Sequence, residues 1–341
     1  MKKILVTGGA GYIGSHTIIE IIEKQGWEVI SVDNYSNSSA STFTRIKDIT
    51  GKSITNYVVD LCDAKATRSI FEQHNDIWGI IHFAAYKSVP ESVEKPLVYY
   101  HNNIESLVNI LNCAAEFKVP HVIFSSSCSI YGDIAKLPVS EETIAGRANS
   151  PYGYTKQVGE RIVEDFSVAN PSIKSVALRY FNPVGAHPSG KNGEVPVQRP
   201  NNLVPMITQT ASGKHKEMKV FGNNYDTRDG TCIRDYVHVC DIATAHIDAL
   251  LYLEANKNAP AYSVFNLGTG NGVSVLEMIN AFEKESGKKL NYVIAPRRDG
   301  DVGAIFSDCT KAKKLLGWEP KYSLPDMMAS AWKWELLNVK A

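Results

Sequence analysis

The segment Thr7-Gly8-Gly9-Ala10-Gly11-Tyr12-Ile13-Gly14 follows an apolar, β-branched run and opens an amphipathic one. In that context a glycine triplet reads as a phosphate-binding fingerprint. Glycine lets the backbone turn tightly and approach a ligand, and a helix starting there aims its free amides at an anion. The spacing Gly8-x-x-Gly11-x-x-Gly14 also fits an ordinary strand-to-helix turn, so a second feature has to decide. Asp33 supplies it, nineteen positions after Gly14 and at the end of the next apolar run. A carboxylate there accepts hydrogen bonds from an adenine ribose. Its charge repels a 2′-phosphate, and no Arg or Lys follows before Arg45, so NAD is expected over NADP.

Up to about residue 181, short apolar runs alternate with longer amphipathic stretches. Strands are expected at 4–7, 29–33, 56–60, 79–83, 121–126 and 175–179, and helices at 13–24, 65–74, 102–117 and 152–169. This alternation implies an α/β fold, a doubly wound parallel sheet of Rossmann type that binds ligands beyond the carboxyl ends of its strands. Residues 183–202 then carry four prolines and three glycines with little periodicity and read as loop. The chain therefore divides into a region 1–181 and a smaller region 182–341. In the second, helices are expected at 202–212, 241–255, 275–286 and 326–337, strands at 219–221 and 263–267, and a turn at 226–230. Residues 239–253 and 265–267 are apolar enough to rejoin the large sheet, so the regions should interleave, with sheet elements returning near 236–268.

Tyr152 and Lys156, four apart at the start of an expected helix, share one face. A phenol with a pKa near 10 is a poor base at neutral pH. A neighbouring ammonium and a nicotinamide cation favour phenolate, and a shift to about 7 takes roughly 4 kcal/mol. A packed Tyr beside a solvated Lys has the same spacing. Weight comes from Ser125-Ser126-Ser127 at the end of an apolar strand, where a serine hydroxyl can hold a substrate oxygen while Tyr152 moves its proton.

Charge and cysteines exclude other classes. With 36 basic and 36 acidic side chains, no global field draws in nucleic acid or an anionic membrane. The six cysteines show no C-x-x-C pair and no zinc-ligand spacing with histidine, so no metal is expected and the thiols read as reduced. Neither a signal peptide nor an apolar run of about 18 residues is visible, and a soluble cytoplasmic protein is the expectation.

Further strings narrow the reading: Ile81-His82-Phe83-Ala84-Ala85, Glu91-Ser92-Val93, Lys95-Pro96-Leu97, Tyr99-Tyr100-His101-Asn102-Asn103, Tyr131-Gly132 and Ser150-Pro151-Tyr152-Gly153. Arg179-Tyr180-Phe181-Asn182-Pro183-Val184-Gly185 and the residues through Gly190 follow. Then come Pro200-Asn201-Asn202-Leu203, Phe221-Gly222-Asn223, Arg234-Asp235-Tyr236-Val237-His238-Val239, Asn266-Leu267-Gly268 and Ala295-Pro296-Arg297-Arg298. With the fingerprint and the Ser127/Tyr152/Lys156 set, they resemble the extended short-chain dehydrogenase/reductase superfamily. Over nearly the whole chain the likeness is to its UDP-glucose 4-epimerases, isomerases of galactose metabolism.

That resemblance implies an NAD that stays bound and is regenerated each turnover. Tyr152 would take the proton of the sugar 4-hydroxyl as the C4 hydride leaves, with Ser127 holding that oxygen. Lys156 would anchor the nicotinamide ribose and lower the Tyr152 pKa, and the 4-keto sugar would turn over before hydride returns. Cofactor contacts carry over to Gly8, Gly11, Tyr12, Ile13, Gly14, Asp33, Asn34, Asn37, Asp60, Leu61, Phe83, Ala84, Lys87, Asn102 and Phe181, besides Ser127, Tyr152 and Lys156. Substrate contacts carry over to Lys87, Ser127, Tyr152, Asn182, Asn202, Leu203, Lys219, Val220, Phe221, Arg234, Arg298, Asp301 and Ile305. The two arginines have the forked donors that match a diphosphate. A homodimer joined through 102–117 and 152–169 is also implied.

Departures from the family pattern matter as well. Cys128-Ser129-Ile130 replaces the usual Ala-Thr-Val. It lacks the Asp-Glu pair with which a nucleotide-sugar 4,6-dehydratase eliminates water, while a non-catalytic NAD sensor would be expected to lose Tyr152 or Lys156. A UDP-glucuronate epimerase or decarboxylase stays open. Tyr86 and Pro90 replace smaller residues, and 195–199 departs from an acidic loop. Ile305 stands where strict UDP-glucose enzymes often carry Tyr, which implies some activity on UDP-N-acetylglucosamine; packing explains it equally well.

Overall fold

The computed structural model describes residues 1–196, 200, 202–298 and 301–338. The first half runs β1 (Lys3–Thr7), α1 (Tyr12–Gln25), β2 (Glu28–Val32), α2 (Ser41–Thr50), β3 (Thr55–Tyr57), α3 (Ala64–Gln73), β4 (Gly79–His82), α4 (Val89–Glu94), α5 (Pro96–Glu116), β5 (His121–Ser127), α6 (Pro151–Ala169) and β6 (Lys174–Tyr180). There follow β7 (Asn182–Val184), α7 (Leu203–Ala211), β8 (Met218–Phe221), β9 (Ile233–His238), α8 (Val239–Ala255), β10 (Tyr262–Leu267), β11 (Gly272–Ser274), α9 (Val275–Ser286), β12 (Tyr292–Ala295), β13 (Ala304–Ile305), α10 (Thr310–Leu316) and α11 (Leu324–Asn338).

Every residue of β1 after Lys3 is buried, because both faces of its sheet are covered. Ile4 and Val6 pack with Ile18 and Ile21 of α1 and Leu250 of α8. Leu5 points the other way, to Phe71 of α3, Leu107 and Ile110 of α5 and Val163 of α6. The sheet has seven parallel strands in the order β10-β6-β5-β4-β1-β2-β3. Its winding reverses between β1 and β4, which opens a cleft above their carboxyl ends.

The second region forms a sheet β11-β9-β13 with β7 also on β9, and a parallel pair β12-β8. Its own core includes Ile207, Met218, Met278, Phe282 and Met328. The chain then goes back: α8 packs on α1, and β10 lies parallel to β6 with Phe265 and Leu267 in the large core. Tyr236, Val237 and His238 pair with β7 in the smaller sheet, while Val237 also packs into the large core.

Several boundaries differ from the sequence reading. The third strand stops at Tyr57, because Val58 is largely exposed, so 56–60 is not one strand. The helix expected from 102 begins at Pro96, a residue suited to the first helical position. Helices α2, α4 and α10 and strands β7, β11, β12 and β13 have no counterpart in the sequence reading; α4, α10, β7, β11 and β13 are too short to declare a period. Val197, Gln198 and Arg199 of the 195–199 loop, and Asn201, lie outside the described residues. Among the described residues no helix is long and apolar enough to cross a membrane, and no group of three or more His, Cys, Asp or Glu side chains is arranged to hold a metal.

Candidate active site

The cleft is built from its glycines outward. Gly8 has φ 69°, and a Cβ there would sit 2.9 Å from the Ala84 nitrogen, so the ends of β1 and β4 meet at this point. A Cβ on Gly14 would fall 2.3 Å from the Gly8 carbonyl oxygen, and one on Gly9 2.2 Å from Ser31 Oγ. Gly9, outside the spaced triplet, is thus as constrained as its members. Gly11 directly precedes α1, leaving the amides of Tyr12, Ile13 and Gly14 without intrahelical partners. Asp33 Oδ2 accepts from Ala10 N at 2.9 Å, and Oδ1 accepts from Tyr35 N at 2.9 Å and Ser38 Oγ at 2.7 Å. Three donors against about four lone-pair sites leave this carboxylate room for another.

Around the cradle, Asn34 caps Ser36 N, Asn37 is exposed on the same loop, and Asp60 Oδ1 accepts from Cys62 N at 2.9 Å. Leu61 and Phe181 are buried, so Leu61 offers a ligand mainly its backbone. The Phe83 ring packs 4.6 Å from that of His246, Ala84 N donates to Thr7 Oγ1, and Asn102 Nδ2 donates to Asn103 Oδ1 at 3.0 Å.

Ser127 ends β5 and accepts from Ser129 N at 3.2 Å, while Ser150 Oγ caps α6 by accepting from Gly153 N. Half-buried Tyr152 follows in the first turn, and Lys156, 4% exposed, one turn later. Lys156 Nζ donates to the Ser125 carbonyl at 2.6 Å and lies 4.9 Å from the Phe124 ring centroid. Burial pushes the ammonium down to about 7, opposed by the charge of Glu160. In the chain alone, burial pushes the Tyr152 phenol up to about 12, with a Ser127 hydrogen bond pulling down and Cys128 pushing up.

The second region faces this cleft. Asn182 starts β7, Asn202 precedes α7, and Leu203 is its first residue. Lys219 and Phe221 lie on β8, whereas Val220 between them is buried in the core and presents only backbone. Arg298 stacks over Phe221 at 4.0 Å. Arg234 on β9 donates to the Ile233 and Val302 carbonyls at 2.9 and 2.8 Å and reaches Asp301 at 3.5 Å. Ile305 lies beside Arg234 in register and packs with Ile130 and Phe181. Two side chains here are absent from those the sequence reading singles out. Glu194, in the aperiodic loop, accepts from Lys87 Nζ at 3.3 Å and from Asn202 Nδ2 at 2.7 Å, joining the two regions. Glu160 binds Arg179 twice, and its spacing four residues after Lys156 was a signal available in sequence.

A family model described as GDP-mannose 4,6 dehydratase matches residues 5–331. The chain is 48% identical to the UDP-glucose 4-epimerase of Bacillus subtilis (strain 168) over 336 residues, 98% of this chain and 97% of that one. The chain belongs to the UDP-glucose 4-epimerase family. Among solved UDP-glucose 4-epimerases, that of Stenotrophomonas maltophila with bound NAD and formylated UDP-arabinopyranose has a TM-score of 0.95 at 41% identity, covering 100% of this chain and 99% of that one. The Bifidobacterium longum UDP-glucose 4-epimerase, in complex with NAD+ and UDP, has a TM-score of 0.94 at 46% identity, covering 99% of both chains. Cys128 and Ser129 follow the serine triplet, so the Asp-Glu pair that a 4,6-dehydratase is expected to carry is absent at those two positions.

Proposed function

We propose that this chain interconverts UDP-glucose and UDP-galactose by transient oxidation at the sugar C4, using tightly bound NAD. The observation that supports the reading most is Lys156 of α6, one turn after Tyr152, held on the Ser125 carbonyl near the end of β5, where Ser127 lies, in a chain that opens with a glycine cradle. The cradle suits a dinucleotide: Gly8 and Gly14 let the strand ends and the helix close up where side chains would strike backbone, the first-turn amides of α1 are left free, and Asp33 keeps an acceptor site. Gly8, Gly11 and Gly14 would hold the pyrophosphate, Asp33 a ribose and Lys156 the nicotinamide ribose. Bound NAD supplies the hydride acceptor and donor. Tyr152 takes the proton from the 4-hydroxyl and returns it, while Ser127 fixes that oxygen. Arg234 and Arg298, with Asn202 and Lys219, hold the UDP moiety and leave the sugar to present either face.

Incubating the purified protein with UDP-galactose and no added NAD tests this. Chromatography should show UDP-glucose forming; no conversion, even after NAD is supplied, would overturn the reading. We further place the enzyme in the cytoplasm, consistent with six free cysteines, and as a homodimer. The dimer reading is supported by apolar side chains exposed on the adjoining α4, α5 and α6: Val93 at 61%, Leu97 at 79% and Val168 at 67%. Sedimentation should give twice the chain mass, and a mass of one chain at every concentration would refute it.

A further inference from the structure

Glu160 is a buried carboxylate one helical turn beyond Lys156. Its Oε1 accepts from Ser126 Oγ and, at 2.9 Å, from Arg179 Nε, and its Oε2 accepts from Arg179 Nη2 at 2.7 Å. Ser126 lies between Ser125, whose carbonyl holds Lys156, and Ser127. Arg179 continues to the Tyr131 hydroxyl at 3.0 Å, which donates to Asn266 Oδ1 at 2.7 Å on β10. One carboxylate thus ties the helix that carries Tyr152 and Lys156 to the strand that carries the serines. A buried ion pair is costly, and two apolar residues would pack as well or better, so stability alone does not account for it.

The surroundings of Lys156 leave Glu160 in a singular position. From β4, His82 is buried, bonded to Thr7 and pushed down to about 3, hence neutral. From β5 come the Ser125 carbonyl and the Phe124 ring. From β6, Tyr180 is a neutral phenol bonded to His246 of α8, itself pushed down to about 3. From α5, Asn103 reaches Thr155, and beyond β5 the Cys128 thiol is held neutral, up to about 12. Tyr262 of β10, also neutral, faces Glu160. Among the described residues, Glu160 is the anion that acts on this ammonium, and Arg179 competes for it.

We propose that the Glu160–Arg179 pair sets the charge carried by Lys156, making Glu160 a positioning residue that acts through Lys156 and the serine strand. The inference rests on the epimerase reading for its use but not for its test. The Lys156 13Cε resonance, in protein labelled at lysine and assigned with Lys156→Arg, is titrated alongside the pH profile of turnover. Glu160→Gln and Arg179→Gln break the same ion pair, so a purely structural role predicts similar effects. The charge-setting role predicts opposite ones. Glu160→Gln should lower the Lys156 midpoint by about one pH unit, roughly a tenfold change in its neutral-to-charged ratio. Turnover at neutral pH should fall and recover on acidification. Arg179→Gln should raise the midpoint.

Shifts in one direction, or none, would overturn the proposal. If either single variant fails to fold, the double variant Glu160→Gln/Arg179→Gln leaves no unpaired buried charge and decides instead. There a lowered midpoint supports the proposal and an unchanged one refutes it. If the parent protein turns over no UDP-galactose, the epimerase reading fails while the resonance still reports on the pair.

Discussion

In the proposed reaction Tyr152 releases and regains a proton from a place where burial pushes its phenol up to about 12. Tyr152→Phe removes the proton carrier and little volume. It should reduce kcat by about 10²- to 10⁴-fold while calorimetry still detects UDP binding; near-normal turnover would remove Tyr152 from its role. Ile305 belongs to an apolar cluster with Ile130, Tyr131 and Phe181, and it is smaller than the tyrosine expected at this place in strict UDP-glucose enzymes. UDP-N-acetylglucosamine should therefore be turned over to some extent, and Ile305→Tyr should abolish this while sparing UDP-galactose. No N-acetyl turnover in the parent protein would leave Ile305 a packing residue. At this scale, Tyr152, Lys156 and Asp33 were legible because each had a motif spacing. Glu194 was not, since its loop has no period and its partners Lys87 and Asn202 are distant in sequence.

The first strand-turn-helix works as one element, with α1 pressed against the loop that precedes it. Gly14→Ala would drive a methyl into the Gly8 carbonyl, a backbone atom that cannot swing aside. Overpacking of this kind costs about 1–3 kcal/mol and would push the Tyr12 to Gly14 amides out of line. Both the urea midpoint and the NAD recovered from the purified protein should fall, and an unchanged NAD content would show that the cradle tolerates the methyl. Strands covered on both faces such as β1, β5 and β6, and the long amphipathic helix α6, were readable to within one or two residues. Short ones such as α4 were not. Ser88 caps α4 by accepting from Glu91 N, but its six residues give no periodic pattern. Sheet order and the β9 pairing with β7, β11 and β13 arise from tertiary contacts that no local pattern encodes.

Across the whole molecule, five histidines are held neutral. Burial pushes His16 and His121 down to about 4, and His82, His238 and His246 down to about 3. Unfolded imidazoles take up protons near pH 6.5, so between there and pH 3 to 4 the unfolded chain binds more protons. Stability should fall as pH drops through that window, each histidine contributing about 1.4 kcal/mol per pH unit. Lys156, with a folded midpoint of about 7, extends the same slope up to its ordinary value. The urea midpoint should be lower at pH 5 than at pH 7; an equal midpoint would mean that these sites hydrate or rearrange.

The return of β10 to the edge of β6 also governs how the molecule is made. Tyr180 leaves the ribosome 82 residues before Tyr262, and α8, which covers Val176 and Leu178, is also made in that interval. At about 5–20 residues per second, synthesis of the gap lasts roughly 4–16 s. Until β10 arrives, β6 has β5 on one side and an open edge on the other, and until α8 is made the apolar face that it covers is bare; such an edge invites pairing with another chain.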